Sequence, residues 1–134
     1  MKKIDQIIIH CSATPEGRHV TVDEIRRWHK KRGWRDIGYH YVIYLDGTIH
    51  AGRPICQMGA HCKGHKAHSI GICYVGGLDG NGKAKDTRTT FQKESLKSLV
   101  AQLKAQFPNV TIHGHNEFAQ KACPCFNVKT EFCR

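Results

Sequence analysis

The sequence predicts an α/β domain in which helices flank a mixed central β-sheet, and three observations carry that prediction. Short β-branched runs alternate along the chain with stretches of helical periodicity. Two of the short runs are joined by Asp46-Gly47, the dipeptide of a tight hairpin turn, so part of the sheet is antiparallel. Both helical stretches open on a capping signature, Thr21-Val22-Asp23-Glu24 and Thr89-Thr90-Phe91-Gln92. With 134 residues the chain is long enough for one core and too short to divide comfortably into two, so a single domain over residues 1–134 is expected.

Residues 5–10 read as a buried strand, a β-branched run closed by His10. A histidine in that place sits at a sheet edge where ligands gather, and it reads equally as a ligand or as a hydrogen-bonded core residue. Residues 11–17 read as loop. The first helix runs from the Thr21 cap to about Arg32, with Asp23 and Glu24 in the first turn, where the helix dipole favours negative charge. Val22, Ile25, Trp28 and His29 share its apolar face, and Trp28 is assigned to the core.

Residues 38–44 read as the next strand, in which alternation puts Tyr39, Tyr41 and Ile43 on one face and His40, Val42 and Tyr44 on the other. It pairs across the Asp46-Gly47 turn with residues 49–51. Residues 52–69 form a loop rich in His, Gly and Lys, including His61, Cys62, His65 and His68, whose irregular spacing suits a cleft lining better than a metal-binding tract. His61 is a candidate for a place in the cleft or behind the ligands, and His40 reads as a packed strand residue. Residues 70–75 are a buried strand and 76–82 a turn region. The longest helix follows Thr89 to about Phe107, with Leu96, Leu99, Val100, Leu103 and Phe107 on one stripe, and Pro108 stops it. Residues 110–115 form a last strand whose alternation places His113 and His115 on one face, and a short helix is expected from Asn127 through Phe132.

No apolar run approaches the ~20 residues of a membrane helix. After Met1-Lys2-Lys3 the run Ile7-Ile8-Ile9 meets His10 at once, so no secretory signal is visible and synthesis in the cytoplasm is expected. The formal net charge of +10 favours an anionic partner. Lys and Arg are scattered from Lys2 to Arg134 rather than gathered on one helix, which disfavours nucleic acid. The seven cysteines (Cys11, Cys56, Cys62, Cys73, Cys123, Cys125 and Cys133) are an odd number, and a reducing cytosol disfavours a disulfide framework, so most read as small buried hydrophobes. Ten histidines exceed what core packing would use.

The stretch from His115 to Cys123 sets an imidazole eight positions ahead of a thiol, with the Lys121 ammonium just before that thiol. Imidazole and thiolate donors point to zinc rather than to magnesium or calcium, which want oxygen. A catalytic zinc draws three ligands from the protein, and His10, either His113 or His115, and either Cys123 or Cys125 are the candidates. Spacing alone does not bring His10 to the C-terminal stretch.

Eight ordered segments then carry a resemblance over nearly the whole chain: Ile9-His10-Cys11-Ser12-Ala13-Thr14, Arg27-Trp28-His29-Lys30, Gly33-Trp34, Asp36-Ile37-Gly38-Tyr39-His40, Asp46-Gly47-Thr48, Ser69-Ile70-Gly71-Ile72, Val75-Gly76-Gly77 and Lys121-Ala122-Cys123-Pro124. Together they resemble the phage-lysozyme branch of the zinc-dependent N-acetylmuramoyl-L-alanine amidases, relatives of the peptidoglycan recognition proteins. The resemblance implies one zinc ion held by His10, His115 and Cys123, with Tyr39 and Lys121 as catalytic partners. It implies a peptidoglycan or muropeptide substrate, cut at the amide between N-acetylmuramic acid and L-alanine, and action on the cell wall after release from the cytoplasm. A monomer without a membrane partner is expected. Two departures stand out: Asn116, where many relatives carry His or Arg, and Cys125, a second thiol two residues past the first. Competing readings are a non-catalytic peptidoglycan-binding module, whose members generally lack the ligand cysteine, and a regulator of an RNA polymerase, for which the few residues before the first strand offer no evident tail.

Overall fold

A run of three isoleucines fixes the centre of the molecule. Ile7, Ile8 and Ile9 are wholly buried in β1 (Gln6–Cys11), and a strand apolar on both faces belongs in the middle of a sheet covered on both sides. In the computed structural model, which describes residues 3–62, 64 and 67–132, β1 is followed by a two-residue β2 (Thr14–Pro15) and α1 (Val22–Lys31). The hairpin of β3 (Tyr41–Ile43) and β4 (Ile49–Ala51) comes next, then β5 (Ser69–Tyr74) and a two-residue β6 (Gly77–Leu78). The chain closes with α2 (Thr90–Gln106), β7 (Thr111–Gly114), a 3-10 turn at His115–Glu117 and α3 (Val128–Glu131). His65 and Cys133, both named above, lie outside the described residues.

The main sheet has the order β4-β3-β5-β1-β7, with β1 parallel to β5 and to β7, β3 parallel to β5, and β3 antiparallel to β4. The mixed sheet is therefore as expected. The pairing of β2 with β6 is not: residues read as loop and turn form a small parallel ladder, too short to leave a periodic signature. Both capping boxes are formed, Thr21 with Glu24 and Thr89 with Gln92. Both ends of each reciprocal pair are satisfied, which fixes where the helices begin.

The two faces of the sheet differ in side-chain size. Ile7, Ile9, Ile70, Ile72 and Tyr74 point toward α2 and α3, where Leu96, Leu99, Val100 and Leu103 meet them. Each such residue contributes roughly 1.5–3 kcal/mol on burial. On the α1 side β5 presents its alternate residues, Ser69, Gly71 and Cys73, which are small. Val42, Ile25 and Val75 pack there with Cys73, and the His61 ring lies against Gly71. Among the described residues no helix is long and apolar enough to cross a membrane.

The strand expected over residues 38–44 is shorter than its pattern suggested, and the difference matters for the site. Tyr39 and His40 precede β3 and are held by other contacts: Gly38 N–H donates to His29 Nδ1 (2.9 Å), and His40 N–H to the Gly71 carbonyl (2.9 Å). Arg53, buried, donates to the carbonyls of Ile37 (3.0 Å) and Met58 (2.6 Å) and so braces this segment from below. Released from alternation, Tyr39 joins Val42 and Tyr44 on the α1 side. His40 is buried as expected, accepting from Gly71 N–H (3.0 Å) and pairing with the Gln57 carbonyl (2.9 Å).

His29 is the pin between α1 and that segment. Burial first, then Arg32 and Arg53, holds its imidazole down to about 4. The folded value lies below that of the unfolded chain, so the unfolded chain takes up more protons between about pH 6.5 and 4, and stability falls as pH falls through that window. For chelator-treated protein in urea, His29 is expected to remove about 2 kcal/mol of stability between pH 7 and pH 5. A His29→Asn variant, which keeps an acceptor for Gly38 but does not titrate, should lose correspondingly less; an equal loss in both proteins would refute this role.

Candidate active site

Strand register brings the first two candidate ligands together. β1 and β7 are parallel and their pairing ends with Ile9 opposite Gly114, so the next residue on each side, His10 and His115, emerges beside the other. Their ring centroids are 4.6 Å apart. His115 opens the 3-10 turn instead of ending the strand, so alternation no longer ties it to His113. His113 stays outside the cluster, bonded to Glu117 (2.8 Å) and Thr111 (2.7 Å).

The third candidate arrives on a loop stitched down at several points. Cys11 N–H donates to Cys123 Sγ (3.2 Å), and the Tyr74 hydroxyl donates to the Pro124 carbonyl (2.6 Å). Farther along, the Arg88 guanidinium lies 3.5 Å from the Phe126 ring centroid and pairs with Glu131 (2.6 Å) and Asp86 (2.9 Å). Arg88 is almost wholly buried, and a buried charge is tolerated because both carboxylates and the ring face surround it. Cys125 turns the other way, its thiol donating to the Gly77 carbonyl (3.3 Å) and lying 3.9 Å from Cys11 Sγ. The described cysteines are all free.

The donor atoms of His10, His115 and Cys123 lie within 4.8 Å of one another, the only such grouping among the described residues. Cys123 Sγ is 3.9 Å from His10 Nδ1. Zinc bond lengths of about 2.3 Å to sulfur and 2.0 Å to nitrogen, at tetrahedral angles, put such atoms about 3.5 Å apart, so this donor set fits one zinc ion. Burial depresses His10 well below the usual imidazole range, helped by His61, His115 and Lys121; burial and Lys121 also lower His115. Both rings are thus neutral at pH 7, the form that ligates a metal.

The donors open on a cleft of about 660 Å³ walled by Trp28, Trp34, Phe118, Arg32, Lys121 and His61 among others. No described Asp or Glu lines it. Trp28, assigned above to the core, packs half-buried against the cluster of Val22, Ile25 and Ile37 and also lines this cleft. Tyr39 lies 5.2 Å from His10 between ring centroids. Burial, reinforced by the sulfurs of Cys73, Cys123 and Cys11, holds its hydroxyl well above the usual phenol range, so it stays protonated and can donate. Lys121 is exposed at the cleft and close enough to lower both His10 and His115. His61 lines the cleft and stands behind His10, the places for which it was a candidate, with Nδ1 2.8 Å from His10 Nε2; no sequence signal paired it with His10 in particular. Asn116 is exposed and donates weakly to the Phe126 carbonyl (3.4 Å), outside the donor cluster.

Several known proteins are similar to this chain in sequence and fold. The endolysin of Escherichia phage T7 is 47% identical over 125 residues, covering 93% of this chain and 83% of that protein. The N-acetylmuramoyl-L-alanine amidase LysC from Clostridium intestinale URNW superposes with a TM-score of 0.82 at 29% identity, over 98% of this chain and 86% of its own. A Drosophila PGRP-LB variant in complex with tracheal cytotoxin superposes with a TM-score of 0.79 at 25% identity, over 92% of this chain and 76% of its own. The family model described as N-acetylmuramoyl-L-alanine amidase matches residues 1–126. The chain belongs to the N-acetylmuramoyl-L-alanine amidase family.

Proposed function

We propose that this chain, acting as one monomeric domain over residues 1–134, uses one zinc ion on His10, His115 and Cys123 to release stem peptides from peptidoglycan. Cleavage of the amide between N-acetylmuramic acid and L-alanine is the activity of its family, and the phage endolysins it resembles place that activity in host lysis. The observation that carries the zinc assignment is the convergence of two neutral imidazoles and a thiol at the floor of the cleft. Synthesis in the cytoplasm and action on the wall after release complete the reading.

An unactivated amide needs a strong nucleophile and relief of the charge that develops on its carbonyl oxygen. Bound zinc supplies Lewis acidity and a nucleophile available near neutral pH. The protein supplies the rest. Lys121 offers its ammonium to the developing oxyanion, and the protonated Tyr39 hydroxyl donates to the reacting oxygens from the opposite wall. Trp28, Trp34 and Phe118 give apolar walls against which a sugar or peptide can lie with water excluded. Arg32 and Lys121, with no Asp or Glu among the described residues that line the cleft, favour the carboxylates of the stem peptide.

Purified protein incubated with defined muropeptides is expected to release an intact stem peptide with a free L-alanine amine, seen by mass spectrometry, with zinc and not after chelation. Sugar-chain cleavage or an absence of products would sink the proposal. The Cys123→Ser variant should lose bound zinc while Cys125→Ser retains it, as read by metal analysis of the dialysed proteins. Lys121→Ala and Tyr39→Phe should keep their zinc and lose about a hundredfold in kcat. Because the cleft charges face solvent, turnover should also fall as sodium chloride rises across the range where the Debye length shrinks from about 10 to 3 Å; a flat salt profile would remove the charge from the argument.

A further inference from the structure

From the geometry behind the ligands we infer that His61 is a positioning residue of the metal site, locking the tautomer and ring plane of His10 through a His10–His61–Ser69 chain. The inference rests on the zinc reading above. His10 Nδ1 faces Cys123 Sγ, while His10 Nε2 lies 2.8 Å from His61 Nδ1. On its far side His61 Nε2 lies 3.1 Å from Ser69 Oγ. The three residues come from β1, the loop after β4, and the start of β5, and all are buried.

Hydrogen-bond chemistry gives the chain one direction. An imidazole that offers its Nδ1 lone pair to a metal carries its proton on Nε2. His10 therefore donates to His61 Nδ1, which makes that atom the acceptor and leaves the His61 proton on Nε2, aimed at Ser69 Oγ. The reverse polarity would put a proton on His10 Nδ1 and remove it as a ligand. The Ser69 hydroxyl can accept from His61 Nε2–H, so a partner for that proton is in place when the chain takes the polarity that leaves the metal-facing atom free.

The fold makes a slot for this ring. A Cβ on Gly71 would sit 2.5 Å from His61 Cγ, and one on Gly59 would sit 2.6 Å from its Cδ2. Larger residues at either place would push the ring off the His10 nitrogen. The small face of β5 noted above thus does two things: Gly71 admits the ring, and Ser69 two residues earlier, on the same face, receives its proton.

Outer partners of metal-bound histidines typically govern metal affinity by roughly 10–100-fold. The test measures the zinc Kd of the full chain by competition with a chromophoric chelator for the wild type, His61→Phe, His61→Asn and Ser69→Ala, with the thermal unfolding of each metal-free protein as the folding control. His61→Phe should weaken zinc binding roughly 10–100-fold, and His61→Asn, which returns an acceptor near the Nδ1 position, should recover most of the loss. Ser69→Ala should fall between them. The cobalt-substituted proteins add a readout of ligand geometry: the visible absorption bands of His61→Phe should shift from those of wild type, and those of His61→Asn should not. Wild-type affinity in His61→Phe, or an Asn variant as weak as the Phe variant, would overturn the role. If His61→Phe does not fold, unchanged affinity in Ser69→Ala overturns it instead. A wild-type chain that binds no zinc would defeat the zinc assignment itself, whereas tight wild-type binding with indifferent variants defeats only the part assigned to His61.

Discussion

The site depends on the parallel pairing of β1 between β5 and β7. Because Ile9 stands opposite Gly114 and His10 opposite Cys73, the ends of the strands deliver His10 and His115 at one edge. A slip of one residue in that register would turn His10 to the face filled by α2 and send Ile9 toward the cleft. The isoleucines on both faces of β1 make such a slip costly, since each would exchange a filled environment for the wrong one. Core packing and ligand placement are thus the same constraint.

The C-terminal loop has no such ladder to place it, and it is held by side chains. Tyr74, whose ring belongs to the main core, reaches the Pro124 carbonyl with its hydroxyl, and the Cys11 amide reaches the Cys123 sulfur. Arg88 then ties the far side of the loop, through Phe126 and Glu131, to the segment that leads into α2. Each contact joins residues far apart in the chain, and together they carry the thiol to within 3.9 Å of a histidine that is 113 positions away. The same neighbourhood explains the second thiol. Cys125 is committed to Gly77 and lies against Cys11, so it packs behind the donor cluster.

Much of the architecture was legible along the chain. The Thr21 and Thr89 capping boxes, the Asp46-Gly47 hairpin and the Leu96–Leu103 stripe all rest on interactions between residues a few positions apart, and each formed as read. Misreadings arose where a distant partner decided the outcome. The β-like pattern of residues 38–44 continues one way in sequence, but His29, Gly71 and Arg53 capture residues 37–40 and turn Tyr39 toward the ligands. Trp28 follows the apolar periodicity of α1 into the second core cluster, and the fold gives it a further role in the cleft wall that periodicity could not show.

By itself the sequence determined the element types, the helix starts, the supply of imidazole and thiol donors, and, through ordered motifs that resemble a family, which of them to choose. These follow from local periodicity and from residue chemistry, both of which are written in consecutive positions. Tertiary structure supplied the geometry that those motifs could only imply: His10 and His115 share an edge, Cys123 rather than Cys125 turns toward them, and His61 stands behind His10. Those choices depend on strand register, on a loop fastened by scattered side chains, and on the space that Gly71 leaves. No spacing within one segment encodes any of the three, because each is a relation between segments that only the folded sheet brings into contact.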